Sequence, residues 1–170
     1  AGDELLRVPL RWCLSVGRAG SADAVAPSPA WPDALRDLLS ARDDENEALA
    51  LRLVAERRAG DASPWAAWIR TLPATFDTPL FWSADERAWL AGTHAGALTA
   101  MLERRLASDW EALEDLLADA DPAARAALAR ATRDDYAWAM SVVWSRAFGL
   151  TLGAGAYVVK LVPMLDLLNH

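Results

Sequence analysis

Apolar positions change their spacing twice along the 170 residues, and those changes divide the chain. In residues 1–16, Leu5 to Val8 and Leu10 to Leu14 are short apolar stretches split by Pro9. Proline cannot donate to a ladder, so this pattern predicts edge strands rather than a central one. Residues 17–30 are mostly Gly, Ser, Ala and Pro, a loop by composition. From Trp31 the spacing becomes helical. Pro32 takes a first-turn position ahead of Leu35, Leu38 and Leu39. Asp43 and Asp44 open the next helix, Leu49/Leu53 and Ala50/Val54 repeat at i,i+4, and Arg57, Arg58 and Gly60 close it. Ser63-Pro64 starts a helix bearing Trp65, Trp68, Ile69 and Leu72 that stops at Pro73. Ser83 with Glu86 forms a capping box ahead of Trp89 and Leu90. Leu98, Met101, Leu102 and Leu106 mark a longer helix, continued or kinked through Trp110, Leu113, Leu116 and Leu117. Asp121-Pro122 begins another, and Tyr136, Met140, Val143 and Ala147 stripe the last. Tyr157 to Val159 with Leu161 and Val162 then reads as a buried strand ended by Pro163. No fixed period relates the helices, which excludes a repeat array. The order is strands, helices, strands: an α+β fold with a large helical insertion.

Composition narrows the class. Hydrophobic residues make up 54% and charged ones 24%, ordinary for a soluble domain long enough to bury a core. No apolar run approaches the ~20 residues of a membrane span, and the N-terminus has no signal-peptide pattern. The net charge is −7 with no basic cluster, which argues against nucleic acid and tolerates a basic protein target. Cys13 is the only cysteine, set among apolar residues without a nearby histidine. It reads as a small core hydrophobe, and a reducing, intracellular compartment is expected. One Cys and two His without metal-ligand spacing provide no zinc site, and no Gly-rich phosphate loop is present.

The nine tryptophans invite an aromatic-cage reading, but most fall on apolar helical stripes and are assigned to the core. His94, after Gly92-Thr93, belongs to a helix start, and the acid-rich segment 109–121 to a solvated helix face. The candidate chemistry sits at the end of the chain. Asp166, Asn169 and His170 follow an apolar strand within five residues, and burying them without partners is costly. A turn capping its own backbone and a ligand site explain this equally well. Arg146, in Trp144-Ser145-Arg146-Ala147-Phe148, presents a fork of donors suited to a carboxylate, or to a helix-end salt bridge.

Ser145-Arg146-Ala147-Phe148, a spacer, then Val162-Pro163-Met164-Leu165-Asp166-Leu167-Leu168-Asn169-His170 resembles the SET-domain protein methyltransferases, in the branch of the Rubisco large-subunit lysine methyltransferase. Further phrases of that branch stand in the same order. They are Gly2 to Pro9, Ser63 to Pro73, Thr78 to Trp82 and Leu90 to Thr93, so the resemblance runs over 2–170. It implies a split SET-type β core interrupted by a helical insert: N-terminal strands in 1–16, a mostly helical insert over 31–148, and a C-terminal strand with the Asn-His motif over 156–170. It also implies a domain incomplete at both ends.

The same resemblance implies a transferase that moves a methyl group from S-adenosylmethionine to a lysine of a protein substrate. Arg146, Asp166, Leu167, Leu168, Asn169 and His170 would form the cofactor wall, with Arg146, Phe148 and Asp166 at the substrate channel. The family's catalytic tyrosines lie beyond His170, and Tyr136 and Tyr157 match none of them, so no catalytic residue is assigned here. The 170 residues alone are therefore expected neither to methylate nor to hold the cofactor tightly. Histidine methylation and a catalytically dead SET-like protein-binding module are the competing readings. Oligomeric state, and cytoplasm, nucleus or plastid, stay open.

Overall fold

The computed structural model describes residues 4, 6–16, 26–40, 44–151 and 157–167. Its centre is the second helix. Helix α1 spans Asp33–Ser40, and the Pro32 carbonyl accepts the Leu35 and Arg36 amides, so proline stands just ahead of the first turn. Helix α2, Glu45–Ala59, starts where the Asp44 carboxylate accepts from the amides of Asn46 (3.0 Å) and Glu47 (3.2 Å). It stops at Gly60, whose φ of +55° is the left-handed region open to glycine. Helix α2 is not amphipathic in its burial: every residue from Glu47 to Glu56 is buried. It lies against α1, α3 (Ala66–Ile69), α7 (Arg133–Arg146) and β2 (Tyr157–Leu161), which cover it on several sides. Leu49, Leu51 and Leu53 are fully buried, each contributing about 1.5–3 kcal/mol relative to exposure.

The remaining helices begin where local chemistry directs. The Ser83–Glu86 capping box opens α4, Ala84–Ala88, and Thr93 caps α5, His94–Ala118, which runs unbroken. Asp121 caps α6, Pro122–Ala127, with proline in the first turn. Thr132 and Asp135 form a second capping box at α7. His94 is an exposed first residue of α5, and Leu98 and Met101 of the expected α5 stripe are half exposed. Among the described residues no helix is long and apolar enough to cross a membrane.

Two expectations are corrected. The apolar stretches of 1–16 do not form strands in their described part. Leu10–Trp12 is a 3-10 turn, and only Leu14 pairs, through a single antiparallel bridge to Leu161. Pro9 starts the turn: its carbonyl accepts from Trp12 (2.9 Å) and the chain coils instead of extending. The helical stretch also ends sooner than 148. Ala147 and Phe148 belong to strand β1, Ala147–Thr151, which leaves α7 without a loop and pairs antiparallel with β2. At Gly149 on β1 the Tyr157 ring uses the space a side chain would fill.

Tyr136 on α7 packs near Trp110 with ring centroids 6.1 Å apart, and its hydroxyl is buried with no hydrogen-bond partner among the described residues. Burial, then the charges of Glu47, Asp109 and Asp44, push the phenol well above its ordinary value of 10. The unfolded phenol ionises near that value while the folded one stays neutral. Its contribution is thus fully present below about pH 10 and falls by about 1.4 kcal/mol per pH unit above it. Tyr136→Phe should remove that alkaline loss and gain ~1 kcal/mol at neutral pH, because an unpaired buried hydroxyl disappears. Urea midpoints of both proteins at neutral and alkaline pH check this; parallel curves would disprove it.

Candidate functional site

The two segments singled out by sequence meet at the end of the β1–β2 hairpin. Arg146 is the last residue of α7, where a cation suits the helix's negative end. Twenty residues later the chain returns through β2, Val162 and Pro163 into a 3-10 turn, Leu165–Leu167. Met164 makes that return with φ +72°, an uncommon and costly conformation for a side chain of its size. The turn's own backbone bonds are long: Leu165 to Val162 at 3.2 Å, Leu167 to Met164 at 3.3 Å, Asp166 to Val162 at 3.4 Å. Side chains therefore hold it.

Arg146 Nη1 donates to the Asp166 main-chain carbonyl at 3.0 Å and to its carboxylate Oδ2 at 3.3 Å. The Asp166 side chain is wholly buried and that of Arg146 is 23% exposed. The other carboxylate oxygen, Oδ1, accepts from the indole Nε1–H of Trp68, just before the end of α3, at 3.3 Å. Arg146 Nε is buried and has no hydrogen-bond partner among the described residues. A cation with a buried donor to spare beside a paired carboxylate is chemically fit to receive a second carboxylate. Leu167 and Met164, at the surface of the same turn, are 51% and 55% exposed, an apolar rim to the ion pair. Beside it on α7, Ser141, Trp144 and Ser145 line one wall of an apolar groove of about 350 Å³, with Phe76, Leu98 and Leu102 opposite.

The structure thus brings together Arg146 and Asp166. Phe148 is half-buried on β1 across from Lys160, on the hairpin face where Lys160 Nζ reaches Ser15 Oγ at 3.2 Å. Leu168, Asn169 and His170 lie outside the described residues. Sequence reasoning missed Trp68 as a partner of the site, having placed it in the core. It is 7% exposed, so the core reading holds for the ring and fails for the N–H. Its phrase, Ser63 to Pro73, carries the resemblance but not the direction of the indole N–H. The tyrosines are remote from this chemistry in the fold: Tyr136 is in the core and Tyr157 starts β2, at the far end of the hairpin from Ala147.

The chain has relatives in sequence and in fold. No family-level sequence model matches the chain. A zebrafish actin-histidine N-methyltransferase is 34% identical over 127 residues, which cover 74% of this chain and 21% of the relative. The chloroplastic fructose-bisphosphate aldolase-lysine N-methyltransferase of Arabidopsis thaliana is 32% identical over 124 residues, covering 72% and 24%. Among solved structures, the SET domain of the Rubisco large-subunit methyltransferase bound to lysine and S-adenosylhomocysteine superposes with a TM-score of 0.73 at 25% identity, over 96% of this chain and 33% of that one. The Rubisco enzyme bound to S-adenosylmethionine gives 0.72, also at 25% identity, over 96% and 34%. This chain belongs to the SET-domain family, in the Rubisco large-subunit methyltransferase-like branch. The α+β fold with its helical insert is that family's. The SET chain spans about a fifth to a quarter of the length of the curated relatives it matches.

Proposed function

We propose that this SET chain carries part of the cofactor site of a protein N-methyltransferase that uses S-adenosylmethionine and modifies a lysine of a protein substrate. One observation carries the reading. Arg146 and Asp166 come from two separate phrases of the SET pattern and form a hydrogen-bonded ion pair 20 residues apart in sequence.

When bound, S-adenosylmethionine supplies an electrophilic methyl group on a sulfonium. Arg146, oriented by Asp166, would hold the cofactor's carboxylate through its spare Nε–H. Leu167 would exclude water along the cofactor, and the resemblance assigns Leu168, Asn169 and His170 to the same wall. Phe148 and Asp166 border the channel for the accepting side chain. That side chain must arrive without its proton, because a lysine ammonium, ordinarily near pKa ~10.4, has no lone pair. Holding the amine in line with the methyl group then lowers the barrier by several kcal/mol. Lysine in the solved SET structure supports the substrate class. Histidine is the second reading, favoured by the 34% identity to the actin-histidine enzyme.

The test is transfer of a labelled methyl group from S-adenosylmethionine to proteins of a cell extract by the protein that carries this chain, followed by hydrolysis and amino-acid analysis. Labelled methyl-lysine is expected. Labelled methyl-histidine would replace the residue type and keep the enzyme. No label in any protein would leave only the protein-binding module.

A further inference from the structure

Trp68 donates to the one carboxylate oxygen that Arg146 does not use, and this has a chemical consequence. A guanidinium and a carboxylate left to themselves favour the bidentate fork, two parallel N–H···O bonds. Here the fork is not formed. Oδ2 takes Arg146 Nη1, Oδ1 takes the indole N–H, and Arg146 Nε is left buried and unpartnered among the described residues. Without the indole donor, Oδ1 would be free to turn toward Nε. The carboxylate would then occupy the donor that the proposed function assigns to the cofactor. The turn offers little resistance to such a rotation, since its backbone bonds are 3.2–3.4 Å long and Met164 holds a left-handed φ. The indole, by contrast, is fixed. Ser63 Oγ caps the start of its segment through the Trp65 amide at 3.1 Å, and Thr71 Oγ1 ties to the Trp68 carbonyl at 2.7 Å.

We propose that Trp68 is a positioning residue of the cofactor site: its indole N–H holds Asp166 in a one-point contact with Arg146 and so keeps Arg146 Nε available to a ligand carboxylate. This rests on the reading of Arg146 given above. It assigns a function to α3 of the helical insert, beside the one that α7 has through Arg146.

The experiment compares two ligands on the full protein by calorimetry. S-adenosylhomocysteine has the amino-acid carboxylate, and 5′-methylthioadenosine lacks the whole amino-acid end. Trp68→Phe keeps the ring and deletes the donor. It should weaken S-adenosylhomocysteine by about five- to tenfold, the size of one longish charge-assisted bond, and change methylthioadenosine less than about twofold. Equal weakening of both ligands would mean that Trp68 acts only by packing, and no weakening of either would mean that it does not act on the site; each overturns the proposal. Arg146→Ala separates the two levels. If it leaves S-adenosylhomocysteine binding intact, the assignment of Arg146 fails and Trp68's role with it. If it weakens binding while Trp68→Phe shows no carboxylate selectivity, the positioning role alone fails. Should Trp68→Phe not fold, the indole N–H resonance of Trp68 in the unmodified, ¹⁵N-tryptophan-labelled protein gives the answer. It should move on adding S-adenosylhomocysteine and stay on adding methylthioadenosine; a signal indifferent to both, or moved alike by both, overturns the proposal.

Discussion

Replacing Arg52 by methionine should destabilise the protein by about 3–5 kcal/mol, most of a typical domain's margin. Arg52 is 2% exposed, deep in α2, and its guanidinium lies 5.5 Å and 4.9 Å from the ring centres of Trp31 and Trp65. It donates to the Ser15 carbonyl and forms an ion pair at 3.7 Å with Glu56, one helical turn on. Glu56 also accepts from the hydroxyls of Ser28 (2.8 Å) and Ser63 (2.7 Å). Methionine fills much of the volume but leaves a buried carboxylate with hydroxyl donors only, and the Ser15 carbonyl without its guanidinium. Adding Glu56→Leu should restore part of the loss, because two apolar side chains often equal a buried ion pair in stability. The surface pair of Arg58 with Asp135 at 3.2 Å is the control: Arg58→Met should cost less than about 1 kcal/mol. Urea denaturation measures all three. A cost below about 1 kcal/mol for Arg52→Met would show that the pair is incidental to the fold.

At the site, Asp166→Ala should lower affinity for S-adenosylmethionine about a hundredfold and reduce stability by about 1–3 kcal/mol. Both donors aimed at the carboxylate, Trp68 Nε1 and Arg146 Nη1, lose their acceptor, and only the main-chain carbonyl bond to Arg146 survives. The stability loss stays below that of Arg52→Met because Arg146 is 23% exposed and water replaces part of the interaction. The affinity loss is larger than for Trp68→Phe because the guanidinium loses its anchor and the turn loses both of its clamps. Asp61→Ala, which breaks an exposed contact with Arg70 at 2.8 Å, should leave affinity unchanged. Calorimetry on the full protein decides, and an Asp166→Ala variant that binds normally would remove this turn from the cofactor site.

Helix starts were legible because they are local chemistry: Ser83 with Glu86, Asp44, and Asp121 before Pro122 each satisfy amides within their own first turn. Arg146 and Asp166 were legible as a pair only through the resemblance, since nothing in their spacing shows that a hairpin closes between them. The buried ion pair was not legible. Arg52 and Glu56 look like the polar face of α2, and partners arriving from Ser15, Ser28, Ser63, Trp31 and Trp65 make that face interior. Lys160 itself read as a break in the apolar run and is fully buried. The tryptophans were half read. The rings of Trp31, Trp65, Trp68 and Trp138 are buried as the core reading predicts, whereas Trp89 is 86% exposed and Trp144 and Trp12 are also exposed. Trp31, Trp65 and Trp138 in addition tie down carbonyls of Val16, Trp12 and Pro73 through their indole N–H groups. Periodicity reports which residues are apolar, and not where a ring's polar edge will point.

The bridge from Leu14 to Leu161 and the bond from Lys160 to Ser15 set an order of events during synthesis. Their partners are 145 residues or more apart, so these two contacts wait for β2, whereas Trp12, Ser15 and Val16 can meet Trp65, Arg52 and Trp31 before it. Helices α1 to α7 form from near neighbours and collapse first, whereas closing so long a loop is the slow step. Until it closes, Leu161 and Lys160 lack their partners Leu14 and Ser15. A nascent chain stalled short of residue 160 would thus leave uncovered the side of α2 that packs against β2, a form to which chaperones bind.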